Sequence, residues 1–342
     1  MIHPGTGGTP RRPWSRRHFL QRTLAGTIAA GAGAAWLGCR AWPDRRQGGW
    51  QIGAYTRPWD AWDYRTALDG IAEAGFSWCG LMTAKSEHGW LILTADSTLA
   101  EAAVIGREIR QRGLQCLSLY AGEFPVDQSP AAGRAGLRKL IDLCAACGAS
   151  NLMLAGVPGA NLSAAYFQVI ADCCDYAAAR RVGLSLKPHG GFVATGAACR
   201  QGVARVGHPN FRIWYDPGNI LFYSEGQRDP VTDAADVAGW VVGMSVKDFR
   251  APRDIALTPG DGQVNWPGLM AQLTRGGFTR GPLLIECLES GDRARVLASA
   301  RRALPLADVI LAIFTLNIVD DFFTSVCAEV NVHIRHFIPV RI

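Results

Sequence analysis

The stretch Cys147-Gly148-Ala149-Ser150-Asn151-Leu152-Met153-Leu154-Ala155 joins a helical segment to a short apolar run. The segment before it, Pro130 to Cys147, carries its apolar residues at helical spacing, and Gly148 accepts the left-handed conformation that ends a helix. The run Asn151 to Ala155 does not alternate polar with apolar residues, as a strand exposed on one face would. A continuous run is what a parallel strand buried on both faces shows. The same junction recurs at Ala74-Gly75-Phe76 and at Arg112-Gly113-Leu114.

Working outward, strands are predicted at Gln51 to Tyr55, Ser77 to Met82, Gln115 to Tyr120, Asn151 to Ala155, Leu184 to Lys187, Phe211 to Tyr215, Val241 to Val246 and Leu283 to Glu286. Helices are predicted at Tyr64 to Ala74, about Ala95 to Arg112, Pro130 to Cys147, and from after Asn161 to near Arg181. Further helices follow at Thr195 to Val206, weakly around Asp229 to Ala238, then Trp266 to Arg275 and Asp292 to Ala303. Eight strand–helix units in about 250 residues predict an α/β chain folded as a (β/α)8 TIM barrel. An open doubly wound sheet would carry a Gly-rich phosphate loop after its first strand. Tyr55-Thr56-Arg57-Pro58-Trp59 stands there instead, which favours the barrel.

The 342 residues hold 35 Lys and Arg against 29 Asp and Glu, a formal charge of +6. The excess is local: residues 1–46 carry eight Arg and the single acid Asp44, so the remainder is close to neutral. A neutral body argues against a nucleic-acid partner. A content of 49% hydrophobic and 19% charged residues excludes disorder for most of the chain. Arg16-Arg17 followed by Phe19, Leu20 and the uncharged run Thr23 to Leu37 resembles a twin-arginine export signal. Trp36-Leu37-Gly38-Cys39 resembles a lipoprotein cleavage box, which implies a lipid anchor at Cys39 or cleavage nearby. The expected organisation is an export signal over 1–38, a linker over 39–49, a barrel over 50–303 and an extension of unassigned role over 304–342. Periplasmic or membrane-anchored localisation follows from that reading. The ten cysteines are irregularly spaced, and Cys144-Ala145-Ala146-Cys147 reads as a buried helix face rather than a metal or redox motif.

In a TIM barrel, chemistry sits at the C-terminal ends of the strands. There the sequence places Tyr55, Arg57 and Trp59, then Lys85, Glu87 and His88, then Glu123, Lys187 and His189, Asp216 and Asn219, Lys247 and Asp248, and Glu286 and Glu289. Glu87, Glu123 and Glu289 read as ordinary surface-loop charges. Asp216 and Glu286 each end a strongly apolar run and read as functional.

Five motifs occur in order: Leu184-Ser185-Leu186-Lys187-Pro188-His189-Gly190-Gly191, Tyr215-Asp216-Pro217-Gly218-Asn219, Val246-Lys247-Asp248, Pro259-Gly260-Asp261-Gly262 and Leu284-Ile285-Glu286. Together they resemble the xylose isomerase-like TIM barrel family of sugar isomerases, epimerases and dehydratases. The likeness spans about residues 50 to 300, loosely over the first two strands. It implies one divalent metal (Mn, Mg, Zn or Co) held by Glu, Asp, His and Glu from strands 5 to 8. Asp216 and Glu286 match two of those ligands. Lys187 and Ser245 stand where the other Glu and the His are expected. Two readings stay open: a three-ligand metal site of Asp216, Glu286 and His189, or the Lys187 ammonium in place of the metal charge.

The chemistry implied is proton abstraction next to a sugar carbonyl, through an enediolate that a metal or a Lys stabilises. Glu286 or His189 is the expected base. Lys187 would polarise the carbonyl, and Asp248 and Lys247 would position hydroxyls. Arg57, Trp59, Lys85, Asn219 and Lys247 are the expected substrate-binding residues, with Trp90 and Phe222 as further aromatic candidates. The competing readings are a dehydratase or lyase acting on a keto-sugar or keto-inositol, a non-catalytic sugar-binding barrel, and a nuclease of the endonuclease IV type. That nuclease needs a richer His set than the seven present, four of which (His3, His18, His333 and His336) lie outside the barrel motifs.

Overall fold

A computed structural model describes residues 49–157 and 159–304. The export signal, Cys39 and the C-terminal extension expected from the sequence lie outside the described residues. Eight parallel strands close into a barrel. They are β1 (Trp50–Tyr55), β2 (Trp78–Leu81), β5 (Gln115–Leu119), β6 (Asn151–Leu154), β7 (Gly183–Leu186), β8 (Phe211–Tyr215), β9 (Val241–Val246) and β10 (Gly281–Ile285). Around the ring the order is β1, β10, β9, β8, β7, β6, β5, β2, as expected for right-handed β–α–β crossovers repeated in sequence. The predicted (β/α)8 barrel is therefore the observed fold.

Helices cover the outside where the Gly-terminated segments predicted them. Pro130–Cys147 begins on the Ser129 cap, whose hydroxyl accepts from the Ala132 amide, and ends on Gly148 at φ +84°. Leu99–Gln111 starts four residues later than the pattern suggested. Thr98 and Glu101 form a reciprocal capping box that fixes its first turn. Apolar faces of these helices pack on the outer faces of the strands, forming one continuous core. Inside the barrel a second, smaller cluster joins Tyr55, Met82, Leu117, Met153, Trp214 and Leu284. Large rings fit there because glycines face them. A Cβ on Gly243 would lie 2.3 Å from the Trp214 ring, and one on Gly80 would lie 2.3 Å from Tyr55.

Two elements were not legible in the sequence. A short antiparallel hairpin, β3 (Thr83–Ser86) with β4 (Gly89–Leu91), follows β2 outside the barrel. Ser86 closes its turn by accepting from the His88 amide and donating to the Leu91 carbonyl. A helix of about two turns, Pro217–Tyr223, starts directly after β8 on the Asp216 cap. All eight described cysteines are free and buried, as a set of small core hydrophobes would be. Among the described residues no helix is long and apolar enough to cross a membrane.

Candidate functional site

The mouth of the barrel is built by residues that follow the last strand positions. Lys187 follows β7, Asp216 follows β8, Lys247 follows β9, Glu286 follows β10, and Arg57 lies two residues past β1. Parallel pairing brings these ends level, for example Ala54 beside Ile285 and Leu186 beside Ile213. The sequence-predicted Lys187, Asp216, Asn219, Lys247, Glu286 and Arg57 therefore meet in one place.

They meet as an ion network. The Lys187 ammonium contacts Asp216 Oδ2 at 2.9 Å and also donates to Glu286 Oε2. The Lys247 ammonium donates to Glu286 Oε1 at 2.7 Å, Asn219 Oδ1 at 2.8 Å and Asp216 Oδ2 at 3.3 Å. Arg57 donates to Glu286 Oε1 at 2.7 Å. Asn219 fixes the geometry by donating to the Pro188 carbonyl, while its own amide caps onto Asp216 Oδ1. Asp216, Glu286, Lys187 and Lys247 are all buried, whereas the Arg57 side chain remains 32% exposed. Three cations thus face two carboxylates, leaving one positive charge in excess. Burial alone would raise the Glu286 pKa, but Lys187, Lys247 and Arg57 outweigh it and hold the carboxylate well below the usual range. Burial would lower Lys247, but Asp216 and Glu286 raise it above an ordinary lysine.

A divalent cation does not fit this donor set. The two acidic groups that match the implied ligands already accept hydrogen bonds or ion pairs from two ammonium groups and a guanidinium, which would repel a dication a few ångströms away. Ser245, at the expected His position, instead accepts from the Trp214 indole at 3.2 Å. Among the described residues no three His, Cys, Asp or Glu gather so as to hold a metal. The three-ligand reading of Asp216, Glu286 and His189 is therefore corrected. His189 does not reach the carboxylates as a ligand; it sits at the rim against Tyr223, with ring centroids 5.4 Å apart. Its surface is accessible, yet its crowded ring is pushed down to about 4, first by desolvation and then by Lys187 and Lys247. It is neutral at pH 7.

Three further expectations are corrected. Asp248 does not position substrate hydroxyls. It is fully buried, and its two oxygens accept from five donors: the amides of Phe249, Gly260, Gly262 and Val264 and the Trp266 indole. The motif Pro259-Gly260-Asp261-Gly262 is the loop that wraps this carboxylate, and a Cβ on Gly262 would lie 2.2 Å from Asp248 Oδ1. Trp59 is fully buried in the outer core, where its ring fills the space left by Gly70. It has no face for a sugar. Lys85 is exposed on the outlying hairpin and pairs through its backbone with Trp62. Of the other aromatic candidates, Trp90 is 61% exposed on that hairpin and Phe222 lies beneath Arg253 at 4.0 Å.

One site group was misread. Glu123 is not a solvated loop charge: both carboxyl oxygens are buried and neither makes a hydrogen bond of good geometry, with the Tyr120 hydroxyl and the Ala155 backbone only loosely placed beside them. Burial pushes its pKa up to about 8, although the Ala155 backbone and the Tyr120 hydroxyl pull the other way. The reading of Glu289 as a surface charge agrees with its pairing to Arg295 and Arg302 outside the barrel.

Residues 68–305 match the family described as xylose isomerase-like TIM barrel. The chain belongs to that family. Among solved structures it is similar to D-psicose 3-epimerase, crystallised in the presence of D-fructose, at 16% identity and TM-score 0.61, covering 76% of this chain and 99% of that one. It is also similar to L-ribulose 3-epimerase at 16% identity and TM-score 0.60, covering 80% of this chain and 98% of that one. A xylose isomerase domain protein from Planctomyces limnophilus gives 18% identity and TM-score 0.61, covering 77% and 98%. At these identities the likeness establishes the shared barrel. No curated protein matches the sequence.

Proposed function

We propose that this family member is a sugar or sugar-derivative isomerase or epimerase that labilises the C–H next to a carbonyl through an enediolate. The observation that carries the reading is the cationic cluster of Lys187, Lys247 and Arg57 at the barrel mouth, one charge in excess of its two carboxylates. An enediolate places new negative charge on the former carbonyl oxygen. Preorganised N–H donors in a water-poor site stabilise such charge without having to reorganise. Lys187 and Arg57 border the mouth and polarise the carbonyl in this reading, while Lys247 and Asn219 hold the acidic pair in register. Glu286, expected as the base, is too strongly held by cations to take a proton. It serves as the anchor for those cations.

The epimerases of similar fold were crystallised with D-fructose and D-allulose, which makes a carbohydrate the first substrate class to try. Incubating the purified protein with D-fructose, D-allulose and L-ribulose in D2O, with and without chelator, tests the reading by NMR. Deuterium should enter next to the carbonyl and a second sugar should form, at a rate that chelation leaves unchanged and Lys187→Met removes. Binding without exchange, or a rate that depends strictly on added metal, would sink it. The basic, uncharged-run N-terminus supports export by the twin-arginine route. Fractionation of cells after Arg16→Lys with Arg17→Lys checks that point, with retention in the cytoplasm as the expected result.

A further inference from the structure

Arg57 is held in place by its own loop. It opens the single-turn helix Arg57–Trp59 just beyond β1. Thr56 ties that turn to the neighbouring strand: its amide donates to the Gly80 carbonyl and its hydroxyl accepts from the Met82 amide, each at 3.0 Å. Pro58 restricts the backbone inside the turn, and Trp59 at its end is fully buried against Gly70. The guanidinium therefore reaches Glu286 from a fixed base. Its side chain is 32% exposed, whereas those of Lys187 and Lys247 are almost wholly covered.

A count of donors and acceptors shows what this surface can hold. Every carboxylate oxygen of the network is engaged. Asp216 Oδ1 accepts from the Asn219 amide, and Asp216 Oδ2 pairs with both ammonium groups. Glu286 Oε1 accepts from Lys247 and Arg57, and Glu286 Oε2 from Lys187. Both acids are fully enclosed, so a substrate hydroxyl finds no carboxylate to donate to. Lys247 spends its three N–H groups on Glu286, Asn219 and Asp216. Arg57 has five N–H groups and spends one of them, from Nη1, on Glu286. Among the described residues Glu286 is the one acid within ion-pair distance of this guanidinium.

The accessible part of the network is thus a donor surface that carries the one uncompensated positive charge. Sugar hydroxyls suit it poorly, because each brings a proton that needs an acceptor. An oxyanion accepts without donating and matches the planar guanidinium fork. It also neutralises the surplus charge, which is costly to leave uncompensated in a largely dehydrated site.

Resting on the isomerase or epimerase reading, we propose that the sugar taken by this mouth is itself an anion, a sugar acid or a sugar phosphate, and that Arg57 selects it by pairing with the carboxylate or phosphate. Lys187 has one N–H beyond its two carboxylate contacts and meets the carbonyl oxygen. The Arg57 fork has N–H groups for both that oxygen and the oxyanion. Replacing Arg57 by an uncharged residue leaves two ammonium groups against two carboxylates. Glu286 stays paired, and the selecting charge is gone.

The test uses three ketoses that differ at one carbon: D-fructose, D-fructose 6-phosphate and D-fructuronate, the 6-carboxylate. Binding to the full chain is measured by calorimetry at constant ionic strength, and deuterium entry from D2O is followed in parallel by NMR. Wild type should bind at least one anionic sugar about 10-fold or more tightly than D-fructose, the scale of a hydrogen bond to a charged group. Which of the two it prefers separates a phosphate ligand from a carboxylate. Arg57→Met should bring all three affinities within about threefold of one another, and Arg57→Lys, which keeps the charge without the fork, should fall between. Arg57→Gln takes the place of Arg57→Met should that variant fail to fold. Wild type that binds D-fructose as tightly as both anions overturns the proposal, and deuterium entry into D-fructose would then leave the isomerase reading standing. An anion preference that survives Arg57→Met overturns the assignment to Arg57. A preference lost in Arg57→Met, with no deuterium entering any sugar, upholds the anion site and overturns the isomerase reading instead.

Discussion

Replacing Glu123 by Gln should stabilise the protein, and by an amount that grows with pH. The folded-state pKa is raised from 4.5 to about 8 because desolvation of the carboxyl outweighs the loose contacts from the Ala155 backbone and the Tyr120 hydroxyl. Between those values the folded protein holds a proton that the unfolded chain has released, so wild-type stability falls as pH rises from 4.5 and levels off above about 8. At 1.36 kcal/mol per pKa unit the loss reaches on the order of 5 kcal/mol at the alkaline limit and about 3 kcal/mol at pH 7. Gln is close in shape to the protonated acid and does not titrate. The difference between variant and wild type should therefore be near zero at about pH 4, widen through neutrality and reach a plateau by about pH 9. The titratable groups facing this carboxyl are Tyr120 and Tyr166, both raised by burial and silent over that range. Urea unfolding of both proteins across the range reads the difference directly and cancels every other titration. A difference that stays flat, or that shrinks as pH rises, would refute the argument that burial of this carboxyl outweighs what its neighbours return.

Two other predictions follow from the corrected residues. Asp248→Asn puts an NH2 group against a ring of N–H donors and should cost about 3 kcal/mol, or on the order of 10 °C in melting temperature. Hydrogen exchange should speed up at Gly260, Gly262 and Val264, and unchanged protection there would show that the loop is held by something else. Wild-type protein should take up no stoichiometric Mn in calorimetry, because Lys187 and Lys247 already neutralise the two acids. Lys187→Glu with Ser245→His rebuilds the four-ligand pattern of the family and should bind Mn. Equal uptake by both proteins would contradict the ion network.

The barrel was legible because its determinants are local and repeated. Gly148 at the end of Pro130–Cys147 and the unbroken apolar run of β6 each report their own environment, and eight such reports have one closed solution. The β3–β4 hairpin escaped because it is short and half exposed, so Thr83, Lys85 and Ser86 carry no apolar alternation. At the site, position was readable and role was not. Strand ends located Arg57, Lys187, Asp216, Lys247 and Glu286 correctly. By contrast, the functions expected of Asp248 and Trp59 depend on which way a side chain turns. Asp248 turns to a loop that arrives twelve residues later, and Trp59 turns to a helix glycine, Gly70.

Glu123 shows the same limit from the other side. Its sequence neighbours Gly122, Pro125 and Asp127 are those of a solvated loop, and nothing local says that both oxygens are dry. Beside it Phe124 stacks on Tyr166, two residues brought together by the βα repeat. The charge at the mouth departs from the pattern that the five motifs resemble. Where the family pattern places a Glu after the fifth strand and a His on the seventh, this chain has Lys187 and Ser245, and the cation the carboxylates need becomes covalent. Lys187, Lys247 and Arg57 hold the Glu286 carboxylate well below the usual range.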